Sequence, residues 1–332
     1  MSWKERYIEA IQNEFVKKNV LVIGDLMVDE YVTGKVKRIS PEAPVPVLDY
    51  REKRLEAGGA CNVAHNLKAL GANVAVVGVA AKDEAGMWLR NHFEMMGIDI
   101  SGVFEEEGRP TTIKTRYAVK GQQLLRVDTE TTESISERMQ RIILEFITQV
   151  IAKFDAVVIS DYMKGMFREP SFVKSIISTC NNNNVLVAID SKSREISAFS
   201  NADFVKPNNL ELEAAVGITI TDDDTLDAAG EKYLSESEAK ALIVTRGSKG
   251  ISVFEPGMKR NDYPAKDVQV FDVCGAGDTV ISTITMGMCS GLSVGDSVRM
   301  ANLAAGVVIN RVGTVAVTAD ELLGSIYEEQ NC

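Results

Sequence analysis

The sequence predicts an α/β fold: a doubly wound, mainly parallel central sheet with a small β-rich element beside it. Short apolar runs such as Val20–Gly24, Val74–Val79, Ala156–Ser160 and Val185–Ile189 alternate with helix-length patterned segments. The runs are nearly unbroken in apolar character, as expected of strands covered on both faces, and strand–helix alternation selects parallel pairing. The stretches near 30–50 and 111–128 are extended but only half apolar, which sets them apart from that rhythm.

The chain opens on MSWKERYIEAIQNEFVKKN, where Lys4, Glu5, Arg6, Glu9 and Glu14 interrupt any apolar core. That pattern predicts an amphipathic helix and not a signal peptide. Val20–Gly24 is the first strand. A loop rich in polar and turn residues then runs to Pro46, with β-prone character at Asp29–Thr33 and again at Val45–Tyr50. Gly58-Gly59 lead into a helix over Ala60–Leu70, with Val63, Leu67 and Leu70 on one face and Gly71 ending it. Val74–Val79 is the next strand and a helix over Glu84–Met96 follows. Thr111–Val119 and Gln123–Asp128 flank Lys120-Gly121, a hairpin turn. With Val32–Val36 and Val45–Tyr50 this hairpin makes either a small separate sheet or an edge of the central one.

Further strands are expected at Phe204–Lys206, Ala241–Thr245 and Ser252–Phe254, with helices near 136–151, 169–180, 209–216 and 225–237. From Gly277 the pattern is mostly helical, near 277–289, 295–309 and 319–328. Neither a repeat nor a low-complexity linker is present, and Asn181–Asn184 reads as a polar helix-to-strand turn.

A length of 332 residues suits one large α/β domain with an accessory element, or two moderate domains. A net charge of -11 argues against a nucleic-acid partner, while leaving room for a compact phosphate site built from a few Arg or Lys. The five cysteines, at 61, 180, 274, 289 and 332, show no short paired spacing, and only His65 and His92 could join them, so a zinc site is not expected. Their odd number suits reduced thiols and a cytoplasmic setting. No uncharged apolar segment reaches 18 residues, so no membrane span is expected.

The strongest local constellation is Asp272-Val273-Cys274-Gly275-Ala276-Gly277-Asp278-Thr279 ahead of an apolar helical run. Gly275, Ala276 and Gly277 can present backbone N–H groups at a helix start, where the helix dipole favours anions. Asp278 carries the wrong sign for a phosphate ligand and the right chemistry for a base facing an attacking hydroxyl. A tight loop with Asp278 capping a helix is the simpler alternative. Neither GxxxxGK[ST] nor an early GxGxxG is present, which argues against a P-loop ATPase and a dehydrogenase. Polar residues also follow several strands: Asp25, Asp161, Asp190, Asn208 with Glu211, and Arg246 with Gly247. Such positions hold helix caps or, jointly, a ligand cleft. Gly58, Gly59 and Asn62 form another glycine-rich entry to a helix, with Asn62 offering donors and an acceptor to sugar hydroxyls.

Together these residues resemble the ribokinase/PfkB-type carbohydrate kinase family: GGACN at 58–62 is similar to its early sugar-binding motif and DVCGAGDT at 272–279 to its late signature. The resemblance covers residues 18 to 328. Arg38–Val47 (RISPEAPVPV), TIKTRYAVKGQQLLRVD at 112–128, SDYMKG at 160–165 and KPN at 206–208 resemble the heptose-7-phosphate kinase branch. The resemblance implies a ribokinase-like fold in one kinase domain over 1–332, with lid elements near 30–50 and 111–128 that also form a homodimer. It implies transfer from ATP to O1 of D-glycero-β-D-manno-heptose 7-phosphate, with fructose 1-phosphate, tagatose 6-phosphate or a non-catalytic sensor role as alternatives. A lid that closes would order the sugar and exclude water.

By the same resemblance Asp278 is the base and Gly275–Gly277 the anion hole. Asn208 and Glu211 hold Mg²⁺, in part through water, and Thr245, Arg246 and Gly247 bind the nucleotide. Asp25, Gly58, Gly59, Asn62, Asp161 and Lys164 contact the sugar, while Arg38, Arg116 and Arg126 close around its distal phosphate, as Arg favours phosphate oxygens. Two departures stand out. Asp190-Ser191-Lys192-Ser193 replaces a frequent Asp-Pro-Lys-Gly, and Cys274 replaces a frequent Thr, which leaves a K⁺ requirement open. Relatives in this branch often carry a second, nucleotidyltransferase domain; ending near the kinase boundary, this chain is expected to be a kinase only.

Overall fold

The structure, a computed structural model, describes residues 2–266, 273–311, 313 and 315–329. The first half of the chain runs α1 (Trp3–Glu9), β1 (Asn19–Gly24), β2 (Leu26–Ile39), β3 (Pro46–Gly59), α2 (Ala60–Ala69), β4 (Asn73–Val79), α3 (Glu84–Met96), β5 (Asp99–Phe104), β6 (Thr112–Val119) and β7 (Gln122–Thr129). Then come α4 (Glu137–Val150), β8 (Ala156–Asp161), α5 (Pro170–Asn182), β9 (Leu186–Ser191), β10 (Phe204–Val205), α6 (Asn209–Val216) and α7 (Asp223–Ser237). The last are β11 (Leu242–Thr245), β12 (Ile251–Phe254), β13 (Asn261–Tyr263), α8 (Ala276–Cys289), α9 (Val294–Val308) and α10 (Ala319–Glu328).

Among the described residues, nine strands form one sheet in the order β13-β12-β11-β10-β9-β8-β1-β4-β5. Its pairs are parallel from β5 through to β11, and β12 and β13 add an antiparallel edge. Alternation along each strand explains the double covering. Val20, Val22, Val76 and Val158 face a core shared with α2, α8 and α9; Leu21, Ile23, Val77 and Ile159 face one shared with α4, α5 and α7. Each such side chain taken out of water contributes about 1.5–3 kcal/mol, so the continuous apolar runs are what the architecture demands.

The remaining four strands form a separate sheet, β3-β2-β6-β7, so the 111–128 hairpin is not an edge of the central sheet. At its turn Lys120 and Gly121 have φ of 50° and 81°, two positive values that a two-residue I′-type turn requires. Strands β2 and β3 pair from Leu26↔Gly59 out to Ile39↔Pro46, a longer ribbon than the expected segments near 30–50. Solvent on much of this ribbon removes the apolar run that would have revealed it, and bulges at Thr33/Gly34 and Val36/Arg38 break its alternation. β5 and β13 were not anticipated; both lie at the ends of the large sheet, where one-sided pairing relaxes the pattern. Only Asp25 separates β1 from β2, so the chain passes from core to small sheet at that residue.

Candidate active site

Gly275, at φ 79°, lets the chain turn into α8, and Asp278 falls in the first helical turn with its side chain buried. The carboxylate is held from two sides. Asn62 Nδ2 of α2 donates to its Oδ2 at 2.6 Å, and the Tyr162 hydroxyl, just past β8, donates to its Oδ1 at 3.0 Å. Asn62 is braced in turn, because Asn66 Nδ2 donates to its backbone oxygen at 2.8 Å and Thr279 Oγ1 donates to Asn66 Oδ1 at 2.7 Å. Burial, and secondly the charge of Asp190, push the Asp278 pKa up to about 6, against the two hydrogen bonds and Lys206, which lower it. Asp278 does not cap α8 with its side chain, so the simple capping reading fails. A buried carboxylate held near neutrality in a fixed orientation has the properties that proton abstraction requires.

One side of Asp278 is rich in sugar-type hydrogen-bonding groups. Asp25 is buried at the junction of the two sheets, and its Oδ2 accepts backbone N–H bonds from Tyr162 (2.9 Å) and Lys164 (3.0 Å). Burial, then Asp161, raises its pKa to about 6. Asp161 takes the Ser191 hydroxyl at 2.6 Å and the Met163 N–H at 2.8 Å. Ser191, one of the departures from the family pattern, therefore supplies a hydroxyl that fixes Asp161. Lys164 directs its ammonium to Glu130 at 2.7 Å. Gly58 and Gly59 end β3; a Cβ on Gly58 would meet Asp29 Oδ2 at 2.7 Å, and one on Gly59 would meet Met27 Cε at 2.6 Å with φ at 58°. The two glycines serve close packing against β2 at the entrance to α2.

On the other side lies a cavity of about 650 Å³, lined by Thr245, Gly247, Ile251, Gly277, Val280 and Ile309 among others, within the usual size range of small-molecule sites. Its apolar walls suit a base and its Gly277 end opens on the helix terminus. Arg246 turns elsewhere: Nη1 donates to Ser252 Oγ at 3.0 Å and pairs with Asp262 at 3.3 Å, so its side chain is not a wall of the cavity. Of the three residues expected at the nucleotide, Thr245 and Gly247 line the cavity, while the Arg246 guanidinium is held by Ser252 and Asp262. Cys274 is exposed, and Asp272 lies outside the described residues.

Asn208 and Glu211 form a reciprocal cap of α6: Glu211 N donates to Asn208 Oδ1 at 2.9 Å and Asn208 N to Glu211 Oε2 at 2.8 Å. Among the described residues no three His, Cys, Asp or Glu side chains gather into a metal cage. Mg²⁺ commonly keeps water and phosphate oxygens and takes only one or two protein carboxylates, so the pair Asn208–Glu211 fits it.

Of the three arginines expected at a distal phosphate, two carry ion pairs and the third lies far out on the ribbon. Arg116 Nη1 pairs with Asp29 at 2.5 Å, and Arg126 is paired with Asp128 at 2.9 Å on the exposed β7. Arg38 is exposed near the tip of β2, about 40 Å along the strand from Asp25 at about 3.3 Å per residue. Two participants had no role assigned from sequence. Tyr162 follows Asp161 directly, but nothing in a lone Tyr announces a bond to a residue 116 positions away. Lys206 is buried with its ammonium on Asp190 at 2.9 Å, and a Cβ on Gly277 would lie 3.4 Å from it. Burial opposes its charge, yet Asp190, Glu211 and Asp278 hold its pKa above the ordinary lysine value.

Comparison with known proteins agrees with this geometry. Residues 17–321 match the model for the pfkB family carbohydrate kinase. The chain is 40% identical over 308 residues to Bifunctional protein HldE of Geobacter sulfurreducens, covering 93% of this chain and 63% of that protein. It is also 40% identical over 310 residues to Bifunctional protein HldE of Helicobacter hepaticus, covering 93% and 64%. The chain thus spans less than two thirds of the length of these relatives. Arabidopsis thaliana ribokinase complexed with ribose and ATP superposes with a TM-score of 0.75 at 19% identity, over 93% of this chain and 98% of that one. Escherichia coli phosphofructokinase-2 in complex with substrates and products gives 0.76 at 20% identity, over 95% and 100%. The fold is that of these kinases, and with 17–321 matched the chain belongs to the pfkB family of carbohydrate kinases.

Proposed function

We propose that this chain is an ATP-dependent kinase that phosphorylates D-glycero-β-D-manno-heptose 7-phosphate at O1, releasing heptose 1,7-bisphosphate and ADP. The observation that carries this reading is Asp278: a buried carboxylate with a pKa of about 6, standing between a hydrogen-bonding sugar side and a nucleotide-sized cavity. Asp278 takes the proton from the acceptor hydroxyl as its oxygen bonds to phosphorus and the bond to the departing ADP oxygen breaks. Backbone N–H groups at Gly275–Gly277, the α8 dipole and Lys206 meet the charge on the transferred group. Mg²⁺, when bound beside Asn208 and Glu211, neutralises phosphate oxygens. Asp25, Asn62 and Asp161 orient the sugar.

The acceptor follows from the RISPEAPVPV segment and the 112–128 and 160–165 segments, which resemble the heptose-7-phosphate kinase branch. The four-stranded sheet then serves as the lid of one kinase domain. It exposes Ile39 (59%), Tyr50 (63%) and Leu125 (56%), apolar surface that suits pairing with a second lid. Among the described residues no helix is long and apolar enough to cross a membrane, and the unbridged thiols Cys61, Cys180 and Cys289 suit a cytoplasmic setting. An ADP-release assay with heptose 7-phosphate, fructose 1-phosphate, tagatose 6-phosphate and unphosphorylated heptose tests the reading, with ³¹P NMR locating the new phosphate. Heptose 7-phosphate is expected to lead, with product at O1; no ADP with any sugar, or preference for the unphosphorylated one, overturns it.

A further inference from the structure

Two ammonium groups without an ion-pair partner among the described residues lie beside Tyr162. Lys114, on β6 at the base of the small sheet, holds its ammonium 5.4 Å from the centre of the Tyr162 ring; Lys192, just past β9 of the large sheet, holds its own 4.3 Å from it. Among the described residues neither ammonium has a carboxylate within ion-pair distance. The polar partner of Lys114 is Met27 Sδ at 3.2 Å, a weak acceptor. Nearby acids are already engaged: Asp29 with Arg116, Glu130 with Lys164, Asp190 with Lys206, and Asp161 with the Ser191 hydroxyl. Lys192 is exposed, while Lys114 is half-buried: burial, then Lys164 and Lys192, hold its pKa below the ordinary lysine value against the opposing charges of Asp29 and Glu130. Two ammonium groups beside one ring, with no described carboxylate in ion-pair reach, offer their charge to an anion.

The position of the cluster says which anion. The hydroxyl end of Tyr162 donates to Asp278, where the reacting sugar hydroxyl must sit, and the ring carries both ammonium groups. A sugar with its reacting oxygen at Asp278 thus extends along Tyr162 toward the two lysines. We propose that Lys114 and Lys192, one from each sheet, bind the phosphate that the acceptor sugar already carries, and that they, not Arg38, Arg116 or Arg126, select a phosphorylated acceptor. This rests on the kinase reading of Asp278. Lys114 lies in register with Asp29, only a few residues from where β2 leaves the core, so the subsite is preorganised and not assembled from the distant ribbon tip. The Ser191 hydroxyl on Asp161, with Lys192 N donating to Asp161 O at 3.2 Å, fixes the loop from which Lys192 reaches out.

The test uses K114Q, K192Q, the double variant and K82Q, the last a surface lysine paired with Glu105. With heptose 7-phosphate as varied substrate, each of the first two is expected to raise KM roughly 10- to 100-fold, the range for losing a charge-assisted hydrogen bond. KM for ATP and the melting temperature should hold, and K82Q should behave as wild type. The preference for heptose 7-phosphate over dephosphorylated heptose should collapse in the double variant. Calorimetric titration of heptose 7-phosphate into the same variants built on D278N reads binding without turnover. If wild type turns over the phosphosugar and both lysine variants keep its KM and preference, the subsite is wrong while the kinase reading stands. If no sugar is turned over, the kinase reading falls, and the titration still decides the subsite: weakened binding supports it and unchanged binding overturns it.

Discussion

Replacing Asp278 with Asn should cripple the enzyme and stabilise the protein, and the second effect has a pH dependence that the structure fixes. The amide keeps the shape of the carboxyl group and removes only its ionisation. In the folded chain the Asp278 pKa stands at about 6, against an ordinary 3.8, because burial and then Asp190 penalise the anion. A shift of about two units corresponds to about 3 kcal/mol. The folded state holds the extra proton between those two values, so the contribution of Asp278 to stability declines as pH rises through that window and is fully unfavourable above about 6. Of the total, about 2 kcal/mol develops between pH 4.5 and 7.5. D278N does not titrate there, so its melting temperature relative to wild type should climb by a few degrees from pH 4.5 to 7.5. Comparing two pH values cancels the fixed difference between amide and protonated acid in bonding to Asn62 and Tyr162. Turnover should fall by roughly 10²–10⁴. A gap in melting temperature that does not widen with pH refutes the burial argument, and near-normal turnover refutes the base assignment.

Two further substitutions read the surroundings of that carboxylate. Y162F removes the hydroxyl on Asp278 Oδ1 and keeps the ring; a hydrogen bond to a charged group is worth about 1.5–3 kcal/mol, so the acid limb of kcat/KM should move up by about one pH unit or more. Activity should then converge toward wild type well above neutrality, and an unshifted limb would show the bond to be idle. G59A puts a Cβ at φ 58° against Met27 Cε at 2.6 Å and the Asp25 backbone oxygen at 2.8 Å, which should cost about 2–4 kcal/mol in denaturant unfolding. A change below about 0.5 kcal/mol would mean that the β3–α2 junction relaxes freely.

The central sheet was legible because parallel strands buried on both faces need unbroken apolar runs, and Val20–Gly24 or Ala156–Ser160 advertise exactly that need in their composition. The small sheet was visible only as a change of texture. Its strands β2 and β3 are too polar to betray their full length, and their bulges break the period-2 signal. Within the site, Asp278 and the glycines before it stood out because they form one contiguous motif. Tyr162, Lys206 and Lys114 did not, since their contacts arise from side chains meeting across separate strands. The arginines show a related limit. Sequence shows the presence of a guanidinium but not its counter-ion, and Asp29 and Asp128 occupy Arg116 and Arg126.

The geometry at Asp25 bears on how such a site could close. β1 ends at Gly24 and β2 begins at Leu26, so a swinging lid would need its pivot here. The crossing is tightly locked. Asp25 N donates to Ser160 O at 3.2 Å, Ala60 N donates to Asp25 O at 3.2 Å, and the carboxylate holds the N–H groups of Tyr162 and Lys164. A Cβ on Gly24 would strike Ser160 O at 2.4 Å, and one on Gly78 would strike Leu26 Cγ at 2.6 Å, so the backbones there are in contact with no slack. Rotation about Asp25 would break at least four hydrogen bonds and displace its buried carboxylate. The base of the small sheet, with Lys114 and Asp29, is therefore fastened to the large sheet through Asp25 and its partners.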